Sequence, residues 1–333
     1  MQVAVFSTQA HDREFLAPAF QEAGFEARFI EDKLDMESVA QAEGAGAVCA
    51  FVNDDLGASV LDRLSEYGIR AIALRCAGCD NLDREHARSL GMQCARVPAY
   101  SPNAVAEHAL ALLLALNRHI PQAWARVRQG NFGLTGLVGF DLAQCTVGVI
   151  GTGNIGAAFA RAMQGIGSRV LAYDPYPNAE LQAAGVEYRE LEDLLAVSQV
   201  VSLHCPLTPE TRYLMDAERI ARLPRGAILI NAGRGKLLDT DAAEAALISG
   251  QLGGLGLDVY EDEAGLFFYD WSADGLPDER LARLMQRDDV LVTGHQAFLT
   301  REALSSIAQQ TTDNLHAMLE DPTAGAMLDG RIV

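Results

Sequence analysis

The chain has 333 residues, 49% of them hydrophobic, which is enough for about two domains with apolar cores. Its 45 acidic and 26 basic side chains give a formal net charge of −19 at pH 7, the wrong sign for sequence-independent binding of nucleic acid. The apolar run 109–116 is far shorter than the ~20 residues of a membrane-spanning helix, and residues 1–6 lack the features of an export signal. We therefore expect a globular cytoplasmic protein with neither a nucleic-acid nor a membrane partner.

Short β-rich runs alternate with helical stretches in the first hundred residues. The runs are 3–6, 47–52, 71–74 and 93–97, a spacing typical of parallel βα units. Ser101 then suits a helix N-cap and Pro102 suits the first turn, which predicts a helix from about Pro102 to Arg118. We place the first change of domain at this helix.

The segment from Trp124 to Leu142 has no clear period. It carries Trp124, Phe132 and Phe140 among glycines. Two interpretations stay open: an arm that packs on another subunit, or a surface loop.

A second alternating series begins at Thr146, and its six strand-like runs predict a doubly wound sheet. The runs are 146–150, 169–173, 199–204, 227–231, 255–258 and 290–293. Ligands of such sheets bind beyond the carboxyl ends of the strands, so the residues that follow each run are the candidates for a site. These candidates are Gly151, Asp174, Cys205, Pro206, Ala232, Gly233, Arg234, His295 and the acids at 261–263.

The first strand end carries a glycine-rich GxGxxG motif at Gly151–Gly156. Apolar residues continue at helical spacing from Ile155 to Ile166, which predicts a pyrophosphate site at a helix N-terminus. In this motif Gly151 permits the tight turn, Gly153 the close approach of the ligand and Gly156 the helix–strand packing. Asp174 ends the next strand, where a carboxylate accepts the ribose hydroxyls and repels a 2′-phosphate. The sequence therefore predicts NAD rather than NADP.

The same edge offers groups for hydride transfer to a 2-keto acid. Arg234 can hold a carboxylate with two hydrogen bonds. His295 can donate a proton near neutral pH if a carboxylate orients it, and either Glu261 or Glu263 can supply that carboxylate. His204 also lies at this edge.

Taken together, these motifs resemble the D-isomer-specific 2-hydroxyacid dehydrogenases, and the resemblance covers essentially the whole chain. The motif at 265–268 and HQAFLT at 295–300 are most similar to the fermentative bacterial branch of that family, whose substrate pair is pyruvate and D-lactate. The other matching segments are RCAGCDN at 75–81, the run 97–118, HCPLTPET at 204–211, NAGRGKLLD at 231–239, GLDVYEDE at 256–263 and TGHQAFLT at 293–300.

The resemblance implies two α/β domains with doubly wound parallel sheets. A Rossmann NAD-binding domain, 100–296, is inserted in a flavodoxin-like substrate domain formed by 1–99 and 297–333. It also implies that His295 is the general acid/base, Glu263 its partner and Arg234 the carboxylate anchor.

The resemblance also implies ligand contacts, and we expect a homodimer or homotetramer. The implied cofactor contacts are Gly151, Gly153, Asn154, Ile155, Gly156, Asp174, Cys205, Pro206, Thr211, Ala232, Gly233 and Asp258. The implied substrate contacts are Arg75, Ala77, Gly78, Tyr100, Arg234 and Phe298, with Phe51 as a further wall of the pocket.

Two alternatives stay open for the function: a dehydrogenase for a larger 2-keto acid, and an NAD(H)-sensing corepressor with the same fold. The pair Cys76 and Cys79 forms a CxxC motif that is compatible with a redox-sensitive disulfide. No second Cys or His pair follows at a suitable spacing, so we expect no metal.

Overall fold

The computed structural model describes residues 1–320 and 330–333, which form two compact units. The discontinuous unit consists of Met1–Ser101 and Leu299–Val333, and the continuous unit is Pro102–Phe298. The expected borders, after residues 99 and 296, lie close to these limits. Within the described ranges, no helix is both long and apolar enough to cross a membrane.

The discontinuous unit is built on a five-stranded parallel sheet in the order β2-β1-β3-β4-β5. This is the flavodoxin-like order expected for this part of the chain. Its strands are β1 Gln2–Val5, β2 Glu26–Phe29, β3 Ala47–Ala50, β4 Ala71–Leu74 and β5 Gln93–Arg96, and its first helices are α1 Ala10–Glu22, α2 Ala58–Glu66 and α3 Arg84–Ser89.

The continuous unit is built on a seven-stranded parallel sheet in the order β12-β11-β10-β9-β6-β7-β8. Its strands are β6 Thr146–Ile150, β7 Arg169–Tyr173, β8 Glu187–Tyr188, β9 Val200–Leu203, β10 Ala227–Asn231, β11 Leu252–Leu257 and β12 Val290–Val292. Its helices are α4 Pro102–Asn117, α5 Ile120–Arg128, α6 Asn154–Ile166, α7 Ala179–Ala183, α8 Leu191–Leu195, α9 Ala217–Arg222, α10 Thr240–Ser249 and α11 Glu279–Met285.

β6 and β9 are parallel, hydrogen-bonded neighbours, and the order in which the chain adds strands to this second sheet reverses between them. From β6 the chain moves outward through β7 to β8, and it then returns to β9 and continues to β12 on the other side. In open α/β sheets, a ligand crevice forms at such a reversal, outside the carboxyl ends of the strands. The fold therefore places the glycine-rich turn after β6 at the expected binding position.

The last helix, α12 Arg301–Glu320, completes the core of the discontinuous unit. Its buried Ala308 and Leu315 join a cluster with Val3 and Leu16 from the beginning of the chain. Parallel sheets are buried by helices on both faces. Helix α12 buries part of the first sheet that the helices within residues 1–101 leave exposed. The chain returns to this unit at Leu299, after the continuous unit ends at Phe298.

Two strands were not predicted, β2 and β8, and both lie at sheet edges. Edge strands face solvent on one side, so they lack the continuous apolar pattern of central strands. None of the four residues of β2 is buried, and β8 has only two residues. The second sheet thus has seven strands rather than the six expected.

Candidate active site

The turn after β6 has the geometry of a cradle for an anion. Gly151 has a φ of +89°, and a Cβ there would lie 2.5 Å from the backbone nitrogen of Cys205. A Cβ at Gly156 would lie 1.9 Å from the Gly151 carbonyl oxygen, so only glycine fits either position. A Cβ at Gly153 would meet nothing within 4 Å, which leaves open space where α6 begins with Asn154 and Ile155. These residues fit a dinucleotide whose pyrophosphate lies at the helix N-terminus.

Asp174 follows β7 and is hydrogen-bonded to the glycine-rich turn. Its Oδ2 accepts the backbone N–H of Thr152 at 2.6 Å and the Thr152 hydroxyl at 3.1 Å. Its Oδ1 accepts the backbone N–H of Tyr176 at 2.8 Å. The carboxylate is therefore held beside the turn, where the sequence placed the ribose.

The segments after β9 and β10 also end at this edge of the sheet. Cys205 lies close to Gly151, and the Thr211 hydroxyl donates to the Pro206 carbonyl oxygen at 2.7 Å, which closes the loop between them. After β10, the backbone N–H of Gly233 donates to the side chain of Asn231 at 3.1 Å, with Ala232 between them. The cofactor contacts predicted in both segments thus belong to short, hydrogen-bonded loops at one sheet edge.

Arg234 lies on a loop whose shape depends on a neighbouring glycine. A Cβ at Gly235 would lie 2.1 Å from the backbone of Tyr260, so the two loops pack backbone to backbone. The Asn231 side chain also donates to the Arg234 carbonyl oxygen at 2.9 Å. These contacts fix the backbone that presents the guanidinium.

His295 and Glu263 form a pair in the continuous unit. His295 Nδ1 lies 3.1 Å from Glu263 Oε1, and the other Glu263 oxygen accepts the backbone N–H of Tyr260 at 3.1 Å. The His295 backbone is left-handed, with a φ of +54°, and its N–H donates to the Asp258 carbonyl oxygen at 2.8 Å. A non-glycine residue with this φ is uncommon and is enriched at functional sites.

Glu261, the other acid considered for this pairing, makes different contacts. Its Oε2 accepts the hydroxyl of Tyr213 at 2.8 Å, and Arg280 lies 3.1 Å from its Oε1. These bonds direct the carboxylate toward other loops, so the structure pairs His295 with Glu263.

His204, the second histidine at this edge, is unsuited to acid catalysis. Its Nε2 lies 2.8 Å from the Ser202 hydroxyl, and its ring packs on Phe159 with centroids 5.1 Å apart. Desolvation by burial lowers the pKa of His204 to about 4, so the ring is neutral at physiological pH.

Asp258 is fully buried and holds the segment that follows His295. Its carboxylate accepts the backbone N–H groups of Gln296 and Ala297, each at 2.9 Å, and the hydroxyl of Thr293 at 2.6 Å. His108 Nε2 lies 3.3 Å from the same carboxylate. Burial opposes ionisation, but these hydrogen bonds outweigh it and lower the pKa of Asp258. These contacts favour a role for Asp258 in positioning the backbone beside His295. Direct contact between Asp258 and the cofactor stays a prediction.

Arg75 does not have the exposed guanidinium expected of a substrate contact. It is only 2% exposed, and Nε and Nη2 donate to Asp12 at 2.8 and 3.2 Å. Nη2 also donates to the Ser7 carbonyl oxygen at 2.8 Å, and the Phe51 ring lies 4.8 Å from the guanidinium carbon. Arg75 thus supports the carboxyl edge of the first sheet from within the core, and its predicted contact with a substrate stays a prediction.

The other predicted substrate contacts are divided between the units. Ala77, Gly78 and Tyr100 lie in the discontinuous unit, and Phe298 is the last residue of the continuous unit. The Ala77 carbonyl oxygen accepts a hydrogen bond from Arg96 at 2.7 Å. Their contact with a substrate stays a prediction.

Cys76 and Cys79 lie in the same loop as Ala77 and are both buried. Cys79 Sγ accepts a hydrogen bond from Arg84 at 2.9 Å, and no disulfide is formed within the described residues. Across 1–320 and 330–333, no group of three or more His, Cys, Asp or Glu side chains is arranged to hold a metal ion.

Three residues that the structure places around the predicted site are not among those that the sequence pattern predicts. Thr152 and Tyr188 support Asp174, and His108 contacts Asp258. The only signal for Thr152 was its place inside the glycine-rich motif. Tyr188 lies 36 positions from Thr152, and His108 lies far along the chain from Asp258, so no local pattern marks either residue.

Comparison with known proteins gives consistent matches. Residues 110–297 match the family model described as D-isomer specific 2-hydroxyacid dehydrogenase, NAD binding domain. The D-lactate dehydrogenase of Escherichia coli strain K12 is 47% identical over 315 residues, covering 95% of this chain and 96% of the relative.

Solved structures also resemble the chain along its length. The apo structure of D-lactate dehydrogenase from Escherichia coli has a TM-score of 0.91 at 43% identity and covers all of both chains. D-lactate dehydrogenase with NAD⁺ from Lactobacillus jensenii has a TM-score of 0.80 at 31% identity and covers 96% of each chain.

Proposed function

This chain belongs to the D-isomer-specific 2-hydroxyacid dehydrogenase family, and we propose that it catalyses the reversible, NADH-dependent reduction of pyruvate to D-lactate. It is an NAD-dependent oxidoreductase. The observation that carries the proposal is the pairing of His295 with Glu263 at 3.1 Å, at the sheet edge that also bears the glycine-rich turn and Arg234. We expect the protein to act in the cytoplasm.

His295 acts as the general acid in this proposal. NADH, when bound, supplies the hydride that reaches the keto carbon. His295 gives a proton to the oxygen of that carbonyl group through Nε2, because Nδ1 faces Glu263. The Glu263 carboxylate stabilises the positive charge of protonated His295 and fixes the orientation of its ring. In the reverse direction, the same nitrogen accepts the hydroxyl proton of D-lactate.

Arg234 binds the carboxylate of the keto acid in this proposal. A guanidinium can donate two parallel hydrogen bonds to a carboxylate, which fixes the substrate's orientation as well as its position. The packing of Gly235 against the backbone of Tyr260 supports this role, because Tyr260 also donates to Glu263. The anchor and the acid–base pair are thus supported by the same loop.

A panel of 2-keto acids with NADH, followed by chiral analysis of the product, tests the proposal. We expect the highest kcat/KM for pyruvate and D-lactate as the product. A higher kcat/KM for a branched or aromatic keto acid would transfer the assignment to a larger substrate, because pocket contacts differ by only about 1–3 kcal/mol per methylene. L-lactate as product would contradict the assignment, and negligible turnover together with a stoichiometric protein partner would favour a corepressor.

We also propose that the chain forms a homodimer through α5 and the segment that follows it. Large apolar side chains are exposed there, and Trp124, Phe132, Leu134 and Val138 are 62–87% exposed. These side chains lie close together in the sequence, and exposed apolar patches mark interaction sites. This favours the interpretation of 124–142 as an arm that packs on a second copy.

The double variant Trp124→Glu/Phe132→Asp should shift the protein from dimer to monomer in sedimentation velocity. Two carboxylates in an apolar interface lose hydration without gaining a partner, which opposes association. Ile248→Asp is a suitable control, because Ile248 is 71% exposed on α10. An unchanged sedimentation coefficient in the double variant would place the interface elsewhere.

A further inference from the structure

A series of hydrogen bonds leads from Asn178 through Tyr188, on the edge strand β8, to Asp174. The backbone N–H of Asn178 donates to the Tyr188 hydroxyl at 2.9 Å, and that hydroxyl donates to Thr152 Oγ1 at 2.9 Å. The Thr152 hydroxyl in turn donates to Asp174 Oδ2 at 3.1 Å. Every donor in the series points toward the carboxylate, and hydrogen bonds aligned in this way polarise and strengthen one another.

The chain of hydrogen bonds fixes the conformation of the carboxylate before any ligand arrives. Thr152 is 3% exposed, so its side chain lies within the protein and cannot exchange its partners for bulk water. It gives Asp174 Oδ2 two donors, the hydroxyl and the backbone N–H, while Tyr176 N–H binds Oδ1. Three donors on two oxygens hold one rotamer of Asp174 and leave about one acceptor site, on Oδ1, for a ligand.

We propose that Thr152 and Tyr188 are positioning residues that set the preference for NAD over NADP by fixing the Asp174 carboxylate. The proposal rests on the role proposed for Asp174 as acceptor of the ribose hydroxyls. A fixed carboxylate accepts a ribose hydroxyl at its open site on Oδ1 and holds its negative charge where a 2′-phosphate would lie. A carboxylate released from these donors can turn away, which weakens the bond to the ribose and reduces the repulsion of the phosphate.

A positioning role for Thr152 and Tyr188 and a purely structural role lead to different cofactor affinities in variants of these residues. Loss of general stability at β8 would weaken binding of NADH and NADPH by the same factor. Loss of the Asp174 geometry instead changes the ratio of the two affinities, because only one ligand carries the 2′-phosphate. The selectivity ratio is therefore the informative quantity.

The test uses Thr152→Val and Tyr188→Phe, which remove one hydroxyl each with little change of shape. Titration of cofactor fluorescence gives Kd for NADH and NADPH, and kcat/KM with pyruvate is measured for each cofactor. We expect the NADH-to-NADPH selectivity to fall about three- to tenfold in Thr152→Val and about two- to fivefold in Tyr188→Phe. Thr152→Ser keeps the hydroxyl and should retain the parent ratio.

Tyr67→Phe is the matched control, because Tyr67 lies at the end of α2 in the discontinuous unit. Unchanged selectivity in both Thr152→Val and Tyr188→Phe, or equal losses for the two cofactors, would overturn the inference. If Thr152→Val fails to fold, Tyr188→Phe and Thr152→Ser decide the outcome.

Asp174→Ala separates this inference from the proposal on which it rests. A selectivity ratio that does not change in Asp174→Ala would refute the ribose role of Asp174 itself. A ratio that changes in Asp174→Ala but not in the two hydroxyl variants would refute only the role of Thr152 and Tyr188.

Discussion

His295→Ala should lower kcat for pyruvate reduction by about 100- to 10,000-fold, the range that a positioned general acid contributes. Without the imidazole, water must protonate the forming alkoxide, and Glu263 has no charge to stabilise. NADH should bind with nearly unchanged affinity, because the glycine-rich turn and Asp174 lie on other loops of the sheet edge. Stopped-flow turnover and fluorescence titration measure the two quantities separately.

Two further variants make the result specific to His295. Glu263→Gln keeps the volume of the side chain but removes its charge, and we expect a smaller loss of kcat than in His295→Ala. His86→Ala removes a histidine that pairs with Asp62 on the surface of the discontinuous unit, and it should leave kcat unchanged. Turnover of His295→Ala near that of the parent would refute the assignment of the acid.

Asp12→Ala should destabilise the protein by about 3–5 kcal/mol, because it leaves the buried Arg75 guanidinium without its main counter-charge. Arg75 is 2% exposed and Asp12 is 8% exposed, so water cannot replace the lost partner. Urea denaturation followed by circular dichroism measures the change in the free energy of unfolding. The double variant Asp12→Ala/Arg75→Met should lose less stability than Asp12→Ala alone, because it no longer buries a guanidinium without its main counter-charge.

The pH dependence of this effect has a defined sign. Burial opposes ionisation of Asp12, but the charge and hydrogen bonds of Arg75 outweigh it and hold the pKa of Asp12 below its ordinary value of 3.8. A carboxyl group with a lowered pKa contributes stability above that ordinary value, and the contribution is lost as the pH falls through the folded-state pKa. The stability difference between the parent and Asp12→Ala should therefore shrink below about pH 4.

An exposed ion pair provides the control for this prediction. Arg161 and Glu180 lie 2.7 Å apart with side chains that are 50% and 82% exposed. Exposed ion pairs contribute little to the free energy of unfolding, because water and salt screen both charges. Glu180→Ala should leave the free energy of unfolding nearly unchanged, whereas a loss equal to that of Asp12→Ala would show that burial of Arg75 is not the cause.

The sequence was informative where a local pattern determines the structure. Central strands such as β6 and β9 are mostly apolar and almost fully buried because both faces of a parallel sheet are covered, and the residues that follow them form the predicted edge. Asp174 was found because a turn, a helix and a strand end occur at a fixed spacing. The edge strand β2 lacked such a signal, since none of its residues is buried.

The sequence was less informative where two distant residues share one bond. Arg75 follows a strand, as a ligand-binding residue does, but its partner Asp12 lies 63 positions earlier on α1. Tyr188 likewise donates to Thr152 across 36 positions. Only the folded chain brings these groups together, so their roles could not be inferred from spacing.

The division of one unit between the two ends of the chain has a consequence for synthesis on the ribosome. Residues 1–101 emerge first, but α12, which packs against β4 and covers the core with Leu315 and Met318, emerges about 200 residues later. At ordinary translation rates, this delay lasts about 10–40 s. The continuous unit can fold during that time, whereas the nascent first sheet keeps part of its apolar face uncovered. Chaperones that bind exposed apolar segments should therefore associate with residues 1–101 until α12 has emerged from the ribosome.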